Sequence, residues 1–355
     1  MAERERQHYV PQFLLRNFAS IEGKNVVNLY NKKHGKKAFN VSITTQAQEK
    51  FYYGEDPAFE LFFAHVENRI APDIAKIIEQ EKIPELGEKF YAGLVHFIAT
   101  FAFRTKANVD RVEEGINAAF KEVSKYIDEL KDIDWDTHRL KHPEPAAHSV
   151  AYYFHTWPVL GDLEMFLLIN ETSEDFIISD NPLVVFNPMM QRREEYAIAQ
   201  GLINKGILLL FPISPRHCLM LIDPWAYDVF CSGSNCWIDN IDDIRTINLL
   251  QTISAAENVF FADANHSIEA ICETAAEHKI DKPINQVIDH PQKPGVKLLL
   301  NYHLMHKINP PLSFIREGQE ALLYDCSQHD KHVRHQELIN IIETNKENMR
   351  QKYGQ

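Results

Sequence analysis

The chain contains no apolar run long enough to cross a membrane. Its longest one, YAGLVHFIATFAF at residues 91–103, includes His96 and is well short of the roughly 20 residues that a spanning helix needs. We therefore expect no membrane partner, and this run predicts a buried helix in a globular protein.

Cysteine is scarce and its spacing forms no familiar motif. The chain has 5 cysteines, an odd number, and no CxxC pair. Cys231 and Cys236 lie within CSGSNC, but no second pair exists to complete a zinc site. No signal peptide opens the sequence. These features predict free thiols and a reducing, cytoplasmic compartment.

A surplus of positive charge is also lacking. The formal net charge is -13 over 355 residues, which argues against a protein that wraps nucleic acid with a basic surface. A local basic patch can still bind phosphate, and NKKHGKKAFN offers one around a His-Gly turn. The more common interpretation of such a segment is a solvated hairpin tip. The candidate substrate-binding residues of this patch are Lys32, Lys33, Lys36 and Lys37.

The signatures of several large enzyme classes are missing. The sequence contains no HExxH, no Walker loop, no GxGxxG and no GxSxG. The residues after Asp180 are NPLVVFNP, without the E-x-K of many restriction-type nucleases. These absences leave the metal ligands unknown, with Mg²⁺ or Mn²⁺ as possible cofactors.

What the sequence does contain is an ordinary globular composition, 45% apolar and 25% charged, in an order that indicates helices first and strands later. NVVNLYNKKHGKKAFNVS predicts a β-hairpin. Apolar residues at helical spacing predict helices at about 11–19, 55–80, 85–130 and 146–159. Pro72 should bend or break the second of these.

Short apolar runs separated by turn residues begin near residue 163 and predict a mostly antiparallel or mixed sheet. IDDIRTINLLQTIS predicts a helix, followed by one more strand. The fold class is therefore α+β, with N-terminal helices and a β-hairpin packed with the sheet, and a C-terminal helix. We expect a single domain over 1–325, helical at about 55–160 and sheet-forming at about 163–262, with a helical tail over 326–355.

The opening HYVPQFLLRNFA places His8 just ahead of a predicted helix that starts near Pro11. The positive end of a helix dipole opposes protonation of imidazole, which favours a neutral ring that can act as a base or bind a metal. The alternative is that His8 is a capping residue that fixes the start of the chain.

Arg104 continues a polar line through an otherwise apolar helix. A buried guanidinium needs an anion opposite it, either a carboxylate or a phosphate, so a substrate site and a structural salt bridge are both open. Glu60 and Glu67 are seven residues apart and share a helix face. Either could pair with Arg104 or bind a divalent ion, although such carboxylates are more often solvated.

FIISDNPLVVF places Asp180 and Asn181 directly after a predicted strand. Catalytic carboxylates are often presented at strand ends, next to open space. Asp and Asn before Pro are also ordinary turn formers, because their side chains bond to nearby backbone. Spacing alone does not separate these two roles.

These segments, in this order, resemble an uncharacterised family of bacterial and fungal proteins, a domain of unknown function marked by an N-terminal His-x-x-Pro motif. HYVPQFLLRNFA, FELFFAHVEN, FIATFAFRTK and FIISDNPLVVF carry the resemblance, which spans about residues 8–262. The family pattern has Arg-Thr-Pro where this chain has RTK, so the helix is expected to continue past Arg104. The matching positions are His8, Pro11, Glu60, Glu67, Arg104, Asp180, Asn181 and Pro182.

If these residues converge, they could form a catalytic site for a phosphate-containing substrate. The leading hypothesis is a hydrolase, either a nuclease or a nucleotide hydrolase, in bacterial defence or a toxin-like role. His8 would be a base or metal ligand, Asp180 with Glu67 would hold a divalent ion, and Arg104 would stabilise transition-state charge. The alternative is a non-catalytic binding module in which the same residues are structural.

Overall fold

The computed structural model has an α+β fold, as the sequence predicts. It describes residues 5–85, 87–135, 137–192, 201–278, 285–289, 294–295, 297–301, 308 and 311–325, together with 333, 334, 340, 344, 347 and 351. Most of the predicted helical tail at 326–355 lies outside these residues.

The N-terminal segment is built from short strands around a small helix. β1 pairs antiparallel with β4, so His8 lies opposite Gln48. β2 and β3 form the predicted hairpin, in which Asn31 pairs with Lys36. The elements are β1 (Arg6–His8), α1 (Gln12–Arg16), β2 (Val26–Asn31), β3 (Lys36–Ser42) and β4 (Gln48–Lys50).

The helical region differs from the prediction at two places. Pro72 lies inside one continuous helix rather than breaking it. The stretch from about residue 85 to 130 is two long helices, because Thr105 is extended (φ -80°, ψ 154°) and ends the first of them at Arg104. The helices of this region are α2 (Ala58–Gln80), α3 (Lys89–Arg104), α4 (Lys106–Ser124) and α5 (Pro145–Thr156).

The later part of the chain contains the predicted strands together with further helices. Its strands are β5 (Glu164–Asn170), β6 (Ile178–Ser179), β7 (Val184–Phe186), β8 (Leu208–Ser214), β9 (His217–Ile222), β10 (Tyr227–Val229), β11 (Asn235–Ile238), β12 (Asn258–Phe261), β13 (Asn285–Asp289), β14 (Lys297–Asn301) and β15 (Ile315–Glu317). Its helices are α6 (Pro188–Gln191), α7 (Ile241–Ser254), α8 (Ile268–Glu277) and α9 (Gln319–Leu322).

The described strands form two larger sheets. One has the order β11-β5-β9-β8-β7 and is antiparallel except for the parallel pair of β11 and β5. The other has the order β3-β2-β12-β6, so β2 of the N-terminal hairpin pairs with β12, which in turn pairs with β6. This pairing brings the start of the chain beside the segment that contains Asp180.

The five-stranded sheet is buried on both faces. Leu209 and Leu221 pack with Ile74 and Phe97 of the N-terminal helices. The alternate strand residues, such as Leu210, belong to a second cluster that includes residues of α7. Side chains that alternate along a strand point to opposite faces, so burial on both faces explains why these strands appear in the sequence as unbroken apolar runs.

The prediction that all cysteines are free thiols is wrong for one pair. Cys231 and Cys236 form a disulfide that closes the CSGSNC turn, whereas Cys218 and Cys272 are free. The short separation of the two cysteines suits a turn in which both side chains face each other. Within the part of the chain that the structure describes, no helix has the length and apolarity to span a membrane.

Candidate functional site

Arg104 is the last residue of α3, and its guanidinium is held inside the protein with only 1% of the side chain exposed. Nη2 lies 2.8 Å from Glu67 Oε1 and also donates to the carbonyl oxygen of His8, at 2.8 Å. Nε donates to the hydroxyl of Tyr53. We refer to Arg104, Glu67, Tyr53 and the His8 carbonyl as the Arg104 cluster. It joins α2, α3 and the N-terminal strand.

Aromatic rings complete the enclosure of the Arg104 guanidinium. Its central carbon lies 4.0 Å from the centroid of the Phe63 ring and 5.4 Å from that of Phe101. Stacking and cation-π attraction favour a guanidinium in such a position over an ammonium. Nη1 is buried and makes no hydrogen bond to the described residues. The group is therefore held by one carboxylate, two neutral acceptors and two rings.

The two glutamates differ in how closely they meet this arginine. Burial raises the pKa of Glu67, and the Arg104 charge and hydrogen bond oppose that rise. Burial also raises the pKa of Glu60, the neighbouring charge of Glu67 raises it further, and Arg104 opposes both. Glu60 is half-buried and forms no ion pair with a described residue. The predicted shared helix face is confirmed, and Glu67 is the residue that pairs.

His8 contributes its backbone to the Arg104 cluster, whereas its imidazole faces elsewhere. Nε2 lies 3.3 Å from the carbonyl oxygen of Thr44 and 3.4 Å from Gln12 Nε2. Burial lowers the pKa of His8, and the charges of Arg104 and Arg16 lower it further. A neutral ring was predicted from the helix dipole, but α1 has only five residues and burial is the main cause.

Asp180 follows β6 and is fully enclosed by backbone donors. Its carboxylate accepts hydrogen bonds from the backbone N–H groups of Ala256, Glu257 and Asn258, at 2.8, 2.9 and 2.9 Å. Burial raises the pKa of Asp180, and these three hydrogen bonds and the charge of Lys32 oppose the rise. The carboxylate thus fixes the turn between α7 and β12.

Asn181 connects that turn to the helical region. Its Oδ1 accepts from the hydroxyl of Thr105 at 2.6 Å and from Asn108, and its Nδ2 donates to Ser254. We refer to Asp180, Asn181 and these partners as the Asp180 network. Because Thr105 directly follows Arg104, the network and the Arg104 cluster are neighbours that face different partners.

A comparison with protein-family models matches residues 6–265 to a protein family of unknown function, DUF4238. The chain belongs to the DUF4238 family. No curated protein and no solved structure shows significant similarity to it. The DUF4238 match covers the Arg104 cluster and the Asp180 network and agrees with the span of the resemblance seen in the sequence. The family description assigns no activity.

The described part of this DUF4238 chain gathers four of the six predicted catalytic residues into one region: Glu60, Glu67, Arg104 and the backbone of His8. Asp180 and Asn181 lie in the adjoining network. No group of three or more His, Cys, Asp or Glu side chains among the described residues is placed to hold a metal ion. Asp180 with Glu67 was the predicted ligand pair, but Asp180 is occupied by backbone and Glu67 by Arg104.

The four predicted substrate-binding lysines of the hairpin divide into two kinds. Lys32 donates to the carbonyl oxygens of Thr252 and Ala255, at the end of α7. Lys37 forms an ion pair with Glu269 and donates to the carbonyl of His266. Lys33 and Lys36 are exposed. Two of the four therefore attach the hairpin to the helices of the sheet region.

Several residues of these two groups were missed in the sequence. Gln7 is buried beside His8, accepts from the backbone N–H of Tyr53 and donates to the carbonyl of Gly54. Tyr53 and Thr105 sit in short segments between helices or strands, where no periodic pattern marks a residue as buried. The only available signal was position, since Gln7 adjoins His8 and Thr105 adjoins Arg104.

Proposed function

We propose that this chain is a non-catalytic binding protein whose family-pattern residues hold its scaffold together. The observation that carries the proposal is the enclosure of Arg104, which is 1% exposed and already paired with Glu67. A transition state could not reach this guanidinium without displacing its partners. The hydrogen bonds of Asp180 support the same role, because three backbone donors occupy its carboxylate.

The decisive variants are Arg104→Ala, Glu67→Gln and the double variant, measured by chemical denaturation. Removing one partner of a buried ion pair costs about 3–5 kcal/mol of stability. We expect Arg104→Ala to reach that range, and the double variant to be far less destabilised than the sum of the two single variants. Arg139→Ala, at an exposed position, is the control. Unchanged or increased stability in Arg104→Ala would instead indicate an arginine kept for activity.

A second candidate is the predicted hydrolase of a phosphate-containing substrate, a nuclease or nucleotide hydrolase with a role in defence or as a toxin. The observation that favours it is that His8, whose pKa is lowered by burial, joins through its backbone the same region as Glu60 and Glu67, whose pKa values are raised by burial. Groups with oppositely shifted pKa values are typical of acid–base sites.

The hydrolase candidate is tested on labelled oligonucleotides and nucleotides, with and without Mg²⁺ or Mn²⁺. Loss of a metal-dependent activity in both His8→Ala and Glu60→Gln, with stability retained, would support it. Identical behaviour of the wild type and His8→Ala on every substrate would leave the binding role as the better account.

A further inference from the structure

We propose that the groove between α2 and α3 is the ligand site of this protein, and that it binds a nucleoside 5′-phosphate. The α2–α3 groove has a volume of about 560 Å³, within the range of small-molecule sites. This inference rests on the proposed binding role and names the class of ligand that would be bound. It involves no residue of the Arg104 cluster or the Asp180 network.

Both helices present one continuous face to the groove. Phe62, Val66, Arg69 and Asp73 recur at the three- and four-residue spacing that places side chains along one side of α2. Lys89, Gly93 and His96 do the same on α3. Trp157, just after α5, contributes the third side. The groove is thus formed by regular elements, which hold its lining in fixed positions.

Two lining residues of the groove are cations without an ion pair among the described residues. Arg69 and Lys89 are exposed, and neither forms an ion pair or hydrogen bond with any described residue. Asp73 shares the groove without an ion pair to a described residue. The lining therefore carries two cations and one carboxylate, and its net positive charge favours an anionic ligand.

The remaining lining is aromatic and suits a flat ring. Trp157 is half-buried, and the His96 ring lies edge-on to it, with centroids 4.9 Å apart. The hydroxyl of Tyr153 lies within hydrogen-bond distance of the His96 ring, which fixes that ring, and burial lowers the pKa of His96. Phe62 and Phe90 are half-buried. Stacking on aromatic side chains is the usual way in which proteins hold bases without reading their sequence.

Gly93 leaves the backbone of α3 open to the groove. It is the fifth residue of α3, and a methyl group added there would meet no atom within 4 Å. Glycine inside a helix is destabilising relative to alanine. No contact within the described chain requires that cost. A ligand that lies close to the helix backbone would require it.

The experiment is calorimetric titration of the full chain with a purine and a pyrimidine nucleoside 5′-monophosphate, the matching nucleosides, and inorganic phosphate. We expect saturable binding of at least one nucleotide, with its nucleoside and phosphate each bound at least tenfold more weakly. Arg69→Ala and Lys89→Ala should each weaken binding about tenfold, which corresponds to about 1.4 kcal/mol. Lys76→Ala is the control, because Lys76 is exposed on the same helix outside the groove.

Two glycine variants test the geometry. Gly93→Ala should raise the melting temperature, and Gly93→Leu should weaken nucleotide binding at least tenfold while the protein stays folded. Absence of nucleotide binding, or equal binding by wild type, Arg69→Ala and Lys89→Ala, would overturn the proposal. So would binding of a single-stranded oligonucleotide without binding of mononucleotides, which would assign the groove to nucleic acid.

Failure here is distinguishable from failure of the proposed function. If no nucleotide binds while Arg104→Ala is strongly destabilised, the scaffold role of the family-pattern residues stands and only this ligand is wrong. If nucleotides bind at the groove while Arg104→Ala remains stable, the site stands and the scaffold role fails.

Discussion

The Arg104 cluster and the α2–α3 groove lie on the same two helices and use the same residue types in opposite ways. Arg104 is 1% exposed and meets a carboxylate, a carbonyl, a hydroxyl and two rings. Arg69 lies two residues after Glu67, faces solvent and has no anionic partner among the described residues. A buried arginine with a carboxylate partner stabilises the fold, whereas an exposed one without an ion pair among the described residues is available to a ligand.

On the roles proposed above, the residues of the family pattern hold the scaffold and other residues bind the ligand. The pattern residues are predominantly those with internal partners, as buried polar groups must be. The cations of the groove are not among the residues that match the family pattern. Three further predictions test this division, in order of decreasing expected effect.

Asp180→Ala should have the largest effect. It removes the acceptor of three backbone N–H groups in the turn between α7 and β12. We expect a loss of about 3–5 kcal/mol, because buried donors that lose a charged acceptor are left unpaired. Urea denaturation measures it, with the exposed Asp239→Ala as the control. A stable Asp180→Ala variant would show that this carboxylate is not part of the scaffold.

Lys32→Ala should have an intermediate effect. Lys32 donates to two carbonyl oxygens at the end of α7, where a cation is also favoured by the helix dipole. We expect a loss of about 1–2 kcal/mol. Lys33→Ala, at the exposed neighbouring position, should change stability by less than about 0.5 kcal/mol. Equal effects of the two substitutions in thermal melts would contradict the division of the lysine patch.

Glu60→Gln should have the smallest effect, and its sign depends on pH. The pKa of Glu60 is raised in the folded state by burial and by Glu67, so the folded protein retains a proton that the unfolded chain loses near its ordinary pKa of about 4.3. Wild-type stability therefore falls as pH rises through the interval between these pKa values.

The Glu60→Gln variant has no carboxyl group to ionise and therefore avoids this loss of stability. It should be the more stable protein at pH 7, by on the order of 0.5 kcal/mol. This stability advantage should disappear at pH values below both the folded and the unfolded pKa of Glu60, where Glu60 is protonated in both states. Melts of both proteins across pH 4–8 measure the difference, with Glu79→Gln on the exposed side of α2 as the control. An advantage that grows as the pH falls would reverse the assigned cause.

The sequence predicted the local elements well where a single pattern decides them. The hairpin of β2 and β3, the helix α7 followed by β12, and the strand that ends at Ser179 are all where alternation and helical spacing indicated. The errors fall where tertiary contacts decide. Pro72 remains in a continuous helix. The helix α3 ends at Arg104 although no proline follows it, because the side chain of Thr105 bonds to Asn181 from a distant segment.

The candidate site could likewise be predicted only in part from the sequence. The sequence identified Arg104 as a residue in need of an anion and offered Glu60, Glu67 or a phosphate for the role. It could not choose among them, since a helical repeat places Glu60 and Glu67 on one face and says nothing of which one reaches α3. The backbone of His8 also has no sequence signal as a partner, because every residue has a carbonyl group.

The amino-acid sequence by itself determined which segments are helix and strand, which side chains are apolar, and that a buried arginine requires a counterion, because these follow from local periodicity and from the cost of burying charge. The tertiary structure alone decided that Glu67 is that counterion and that backbone closes around Asp180. It also decided that Arg69 and Lys89 lie beside an aromatic groove without an ion pair to any described residue. Those outcomes depend on distances between segments far apart in the chain, which only the packed fold sets.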